Sequence, residues 1–372
     1  MNYFAEVDTV TDASLALTPE LVTSNSESGI SNSSQDSSLN TEAKGAFATN
    51  SNTTRINAGL NNAQTVNKHQ VAEHFSAASG NYDRYAQVQK QIAEVNLDLL
   101  QQSIPSSAKQ MVDLGCGTGV HTKSIAGLSQ RCLAIDISHG MLCAARSNNS
   151  DTKTTLRNAI QYCNGDADNL PLLSNSVDAL HSSMALQWCS SPEGAINEIV
   201  RALSNNGTAQ LAIMLDSSLD ELKSAWSVLG LEPRVNQFFG QEQWLQATKL
   251  NAQVSIKHQV QSFVEWHPNS LQMLRALKRI GAATKSEAID GSSKETSQCS
   301  EQNGAEAGSS MSKPISKQEL KLLDQEMRNA CAQGPLSSES TNMGKQSVKG
   351  LPLTYQVLFL SIQKTTSEKL SS

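Results

Sequence analysis

The stretch Val112-Asp113-Leu114-Gly115-Cys116-Gly117-Thr118-Gly119 decides how this chain folds. The short apolar run Met111 to Leu114 enters it as a strand, glycines follow at alternate positions, and a helix is expected beyond them. Glycine is needed where a backbone turns tightly or must let a ligand approach the main chain. A glycine-rich turn alone says little, since a nicotinamide-binding loop also uses one. Here the spacing is G-x-G-x-G rather than G-x-G-x-x-G, and an acid, Asp113, stands before the first glycine.

Working outward, the apolar run Cys132 to Ile135 ends in Asp136, 17 positions after Gly119. A carboxylate at the end of that second strand can accept bonds from both hydroxyls of a ribose. A third acid follows in Cys163-Asn164-Gly165-Asp166-Ala167-Asp168, where Asp166 could meet an adenine amino group and Asp168 reads as a turn residue. Val177 to Leu180 and Thr208 to Leu215 supply further strands, and Leu353 to Ile362 supplies a late one. Between them lie helical patterns: Val88, Ile92, Val95 and Leu99 after Tyr85, and Ile196, Ile199, Val200 and Leu203 after Ser191-Pro192, where proline suits a first turn. Strands alternating with helices predict an α/β fold, a parallel sheet with helices on both faces.

The chain has 372 residues and a formal net charge of -6, which argues against a generally basic nucleic-acid binder. The opening MNYFAEVDTV lacks a basic region followed by an apolar run, and no apolar stretch approaches the roughly 18 residues of a membrane span. A cytoplasmic protein with no membrane association is expected. The seven cysteines include no C-x-x-C pair and are expected to be plain thiols, with no metal site. Residues 1–65 are rich in Ser, Asn and Thr and are expected to form a disordered tail. Two further polar stretches, near 286–312 and 334–349, are expected to be disordered insertions in a domain spanning 66–372.

Over the span from Met111 to Leu215 these motifs resemble those of class I S-adenosylmethionine-dependent methyltransferases. The segment Asp178-Ala179-Leu180-His181-Ser182-Ser183-Met184-Ala185-Leu186-Gln187-Trp188-Cys189 narrows the likeness, because its Ala-Leu-Gln-Trp-Cys tail resembles malonyl-acyl-carrier-protein O-methyltransferases, the BioC family of biotin synthesis. VNKHQVAEHFSAASGNYDRYAQVQKQ from Val66, LKRIGA from Leu277 and LPLTYQVLFL from Leu351 agree. The resemblance implies a Rossmann-like, mostly parallel seven-stranded sheet with a helical substrate cap, placed within 216–250. It also implies S-adenosylmethionine as methyl donor, with Asp113, Gly115, Gly117 and Gly119 around the methionine part. Asp136 would hold the ribose, Asp166 and Ala167 the adenine, and Ile137 and Met141 would form apolar walls. His181 departs mildly from the family, which often has a tryptophan there, and the long N-terminal tail and polar stretch after Lys285 exceed its usual length.

The implied reaction is methylation of the free carboxylate of malonyl-acyl carrier protein, or of malonyl-CoA, to an ester that primes pimelate and biotin synthesis. A substrate carboxylate is already ionised near neutral pH, so no general base is required and none is assigned. Rate would come from positioning and from removing water around the oxygen. Candidates for holding the substrate are Tyr82 and Tyr85, beside Arg84, and a basic face of Arg275, Lys278 and Arg279 opposite Leu274, Leu277 and Ile280. His121 reads as a helix-start residue. Two alternatives stay open: another carboxyl or small-molecule methyltransferase, and a methyltransferase-like assembly factor that binds the cofactor without transferring a methyl group.

Overall fold

A computed structural model describes residues 66–104, 108–150, 160–231, 235–251, 253–280, 315–333 and 350–365. The expected tail at 1–65 and the expected insertions near 286–312 and 334–349 lie outside the described residues. The chain enters through three helices, α1 (Lys68–Ala78), α2 (Tyr82–Tyr85) and α3 (Gln87–Ser103). It then alternates β1 (Gln110–Leu114), α4 (Thr122–Ala126), β2 (Arg131–Asp136), α5 (His139–Asn148) and β3 (Ile160–Asn164). Next come β4 (Val177–Ser183), a 3-10 turn at Leu186–Trp188, α6 (Pro192–Ala202) and β5 (Leu203–Met214). The remainder is α7 (Asp220–Val228), α8 (Gln241–Lys249), β6 (Val254–His267), α9 (Ser270–Arg279), α10 (Lys317–Gln333) and β7 (Leu351–Lys364).

The seven strands form one sheet in the order β3-β2-β1-β4-β5-β7-β6. The first five are parallel, while β7 runs antiparallel between β5 and β6. From β1 the chain moves outward to β2 and β3, then returns to lay β4 on the other side of β1. A crevice therefore opens beyond the carboxyl ends of β1 and β4, where ligands bind in open α/β sheets.

Strand periodicity distributes the core between the two faces. Leu211, Ile213, Leu358 and Leu360 pack with α6 and α8, whereas Ala212, Met214, Val357 and Phe359 pack with α7, α9 and α10. The helix read from Val88, Ile92, Val95 and Leu99 is α3, and a buried polar clamp fixes it to the sheet. Its Asn96 donates to the Ser182 carbonyl at 3.0 Å and accepts from the Gln210 side chain at 3.1 Å. The Ser191-Pro192 start of α6 is capped as its sequence suggests, with the Ser191 hydroxyl accepting the Gly194 N–H.

The residues expected to form a substrate cap, 216–250, contain α7 and α8, and each buries an apolar face against the sheet. Trp226 and Trp244 are fully buried there, one on each face. Strand β6 was not anticipated. Its alternation is visible in Val254, Ile256, Val260, Val264 and Trp266, but as an edge strand it leaves the last three exposed. Among the described residues, no helix is long and apolar enough to cross a membrane.

Candidate active site

The glycine loop leaves β1 at the crevice with all three glycines at positive φ, Gly115 at 70°, Gly117 at 53° and Gly119 at 74°. A Cβ on Gly115 would lie 2.2 Å from the Ala185 Cβ, and one on Gly119 would lie 2.8 Å from the Ala145 Cβ. Gly117 differs, because nothing stands within 4 Å of where its Cβ would be. Its bare face gives a ligand access to the main chain. Asp136, at the end of β2, joins the loop to the neighbouring strand: its carboxylate accepts the Gly117 N–H at 2.9 Å and the Ser138 N–H at 2.8 Å. Burial pushes its pKa up to about 6 against the pull of these two bonds.

An open cavity of about 1130 Å³, counting its solvent-filled mouth, begins at this loop. Asp113, Gly115, Gly117, Asp136, Ile137, Met141, Asp166 and Ala167 all line it. Gly119 does not line it. Its N–H closes the turn onto the Cys116 carbonyl and its missing side chain lets α5 pack close, so its part is to shape the loop. Tyr82 lines the cavity, and burial, with Asp136 and Asp83 nearby, raises its phenol pKa. Tyr85, Arg275, Lys278 and Arg279 are not among the lining residues. Instead, the Arg279 guanidinium lies 4.0 Å from the centre of the Tyr85 ring, which ties the end of α9 to α2 beside the cavity.

The sequence reading missed several wall residues. Helix α1 covers the Asp136 and Asp166 side: Lys68 reaches Asp166 and Asp168, each at 2.8 Å, and Ser76 bonds Ser138 at the start of α5. Asp168 is thus an ion-pair partner rather than a free turn residue. Burial opposes its charge, but Lys68 and the Ser190 amide outweigh that and hold its pKa low. Asp83 of α2 accepts the Thr118 hydroxyl at 2.5 Å, fastening the other end of this cover to the glycine loop. Phe75, Tyr82 and Trp188 form an aromatic wall, with Phe75 edge-on to Trp188 at 5.7 Å. The i, i+4 spacing of Val71 and Phe75 was the available signal, but what that face covers depends on the fold.

At the floor, His181 Nδ1 lies 3.1 Å from one Asp113 oxygen, and Thr122 donates to the other at 2.6 Å. His121 also lines the cavity, and burial, followed by the nearby His181, lowers its pKa. Burial raises the thiols of Cys116 and Cys189, so both wall cysteines are protonated near neutral pH. Among the described residues, no group of three or more His, Cys, Asp or Glu side chains is arranged to hold a metal ion.

A methyltransferase-domain family matches residues 112–211. The malonyl-[acyl-carrier protein] O-methyltransferase of Pectobacterium atrosepticum is 33% identical over 220 residues, covering 59% of this chain and 81% of that protein. This chain belongs to the malonyl-[acyl-carrier protein] O-methyltransferase family. The Serratia marcescens relative of that name is 32% identical, with coverage of 59% and 80%. The biotin biosynthesis bifunctional protein BioHC of Cellvibrio japonicus is 33% identical over 187 residues, 50% of this chain and 36% of that protein. The protein is an S-adenosylmethionine-dependent methyltransferase with the Rossmann-like fold of class I. The family's cofactor fits the cavity, where an open main-chain face at Gly117 and the buried Asp136 carboxylate stand along one wall.

Proposed function

We propose that this protein methylates the free carboxylate of malonyl-acyl carrier protein, forming the methyl ester that enters pimelate and biotin synthesis. The observation that carries this reading is the likeness to the Pectobacterium enzyme over 81% of its length. In this reading residues 66–372 form the methyltransferase domain. S-adenosylmethionine supplies an electrophilic methyl group. Asp113, Gly115, Gly117, Asp136, Ile137, Met141, Asp166 and Ala167 bind it, and Gly119 shapes the loop.

The cavity chemistry agrees with a substrate that arrives already ionised. Its cysteines are held protonated and His121 is biased towards the neutral form, whereas a malonyl carboxylate needs no base to become a nucleophile. The aromatic wall of Phe75, Tyr82 and Trp188 would strip water from that oxygen. Arg275, Lys278 and Arg279, outside the cavity, would steer an acidic carrier protein rather than touch the reacting carboxylate.

Mass spectrometry of malonyl-acyl carrier protein incubated with the protein and S-adenosylmethionine tests this. A methyl-sized gain, absent with Asp136→Ala, is expected. No gain on the carrier protein from a preparation that binds S-adenosylhomocysteine would overturn the assignment. Malonyl-CoA assayed in parallel separates the two acceptors.

A further inference from the structure

Asp113 is the acid that precedes the glycine loop, yet both of its oxygens already serve protein donors. Thr122 occupies one, and His181, from the adjacent β4, occupies the other. Asp113 and His181 are register partners across β1 and β4, so the contact is built into the sheet. A carboxylate accepts, so Nδ1 of His181 carries a proton, which in the uncharged tautomer leaves the lone pair at Nε2. His181 is only 2% exposed, lines the cavity, and its Nε2 has no hydrogen-bond partner among the described residues.

A buried acceptor without a partner is costly, which points to a ligand donor at this place. The cofactor carries donors at three points: the adenine amino group, the ribose hydroxyls and the ammonium of its methionine end. Asp166 follows β3 and Asp136 ends β2, which leaves the floor between β1 and β4 for the third. We infer that His181 is a cofactor-binding residue whose Nε2 accepts a hydrogen bond from the ammonium group of S-adenosylmethionine, with Asp113 fixing the ring behind it. The inference rests on the cofactor occupying this cavity, but not on which acceptor is methylated. Asp113 would then act on the ammonium through the imidazole. His121 does not oppose this, because burial favours its neutral form.

The test compares S-adenosylhomocysteine with its analogue lacking the amino group, by calorimetric titration of the full chain and of His181→Phe. In the unsubstituted protein, loss of the amine is expected to weaken binding about ten- to a hundredfold, the range of a hydrogen bond to a charged group. In His181→Phe the two ligands are expected to bind nearly alike. An amine contribution of equal size in both proteins would overturn the inference. Nitrogen NMR of the histidine-labelled, unsubstituted chain needs no substitution. S-adenosylhomocysteine should shift the His181 Nε2 signal and the amine-free analogue should not, whereas equal shifts would assign that atom to water or to packing. Neither measurement involves a carrier protein, so a failure of the malonyl assignment leaves the result readable.

Discussion

Asp136 shows how one side chain sets a pH dependence. Burial raises its folded-state pKa from 3.8 to about 6, so the folded protein retains a proton that the unfolded chain has lost across that window. The ligand-free protein should therefore lose stability as pH rises from about 4 to 6, by about 3 kcal/mol from this group. In the proposed cofactor site, ribose hydroxyls would donate to the ionised form and favour it. Affinity for S-adenosylhomocysteine should accordingly rise as pH rises through about 6 and then level off, with a proton released on binding. Titration calorimetry in buffers of different ionisation enthalpy measures both effects, and Asp136→Asn should abolish the pH dependence. The acid itself was legible from its place at a strand end. Its raised pKa was not, because that follows from what the fold packs around it.

At the scale of elements, two joints hold the site. The first is α1, latched by Lys68 to Asp166 and Asp168 and seated on α5 where Ser76 meets Ser138 and Gly140. Lys68→Met should release S-adenosylhomocysteine several-fold faster in stopped-flow displacement while leaving its association rate nearly unchanged. The charges are partly exposed, so the effect on global stability should be under about 1 kcal/mol. The second joint is Asn96, fully buried between the Ser182 carbonyl and the Gln210 amide. Asn96→Ala strands both partners and should lower unfolding stability by about 1–3 kcal/mol in urea titration.

These joints also show what a sequence conceals. Strands β1 and β2 were legible because apolar runs ended in glycine or an acid, and β4 was legible from its run Val177 to Leu180. Strand β6 was not, because an edge strand with His258, Gln259, Gln261 and Ser262 at its centre resembles a polar connection. Nor could spacing tell that the helices in 216–250 settle on opposite faces of the sheet, since an apolar stripe reveals a buried face but not its neighbour.

Across the whole molecule, the chain's net charge of -6 sits uneasily with an acidic carrier protein, so attraction must be local. Helix α9 carries Arg275, Lys278 and Arg279, the last of them over the Tyr85 ring of α2, and buries Met273, Leu274 and Leu277. A double charge reversal, Arg275→Glu with Lys278→Glu, should lower kcat/KM for malonyl-acyl carrier protein about tenfold or more at low salt, with the loss shrinking as ionic strength rises. Cofactor affinity should be unchanged in a titration of the same variant, since neither residue lines the cavity.

By itself the sequence determined the alternation of strands and helices, the glycine loop and the order of its three acids. Those features are local, because periodicity, turn conformation and strand-end position are properties of contiguous residues. Only the tertiary structure joined His181 to Asp113, Lys68 to Asp166 and Arg279 to Tyr85. Each pair is far apart along the chain, and its meeting depends on the strand order, the register of β1 with β4 and the path of α1 over the crevice. Sheet pairing and helix packing set those distances, and no spacing within one segment encodes them.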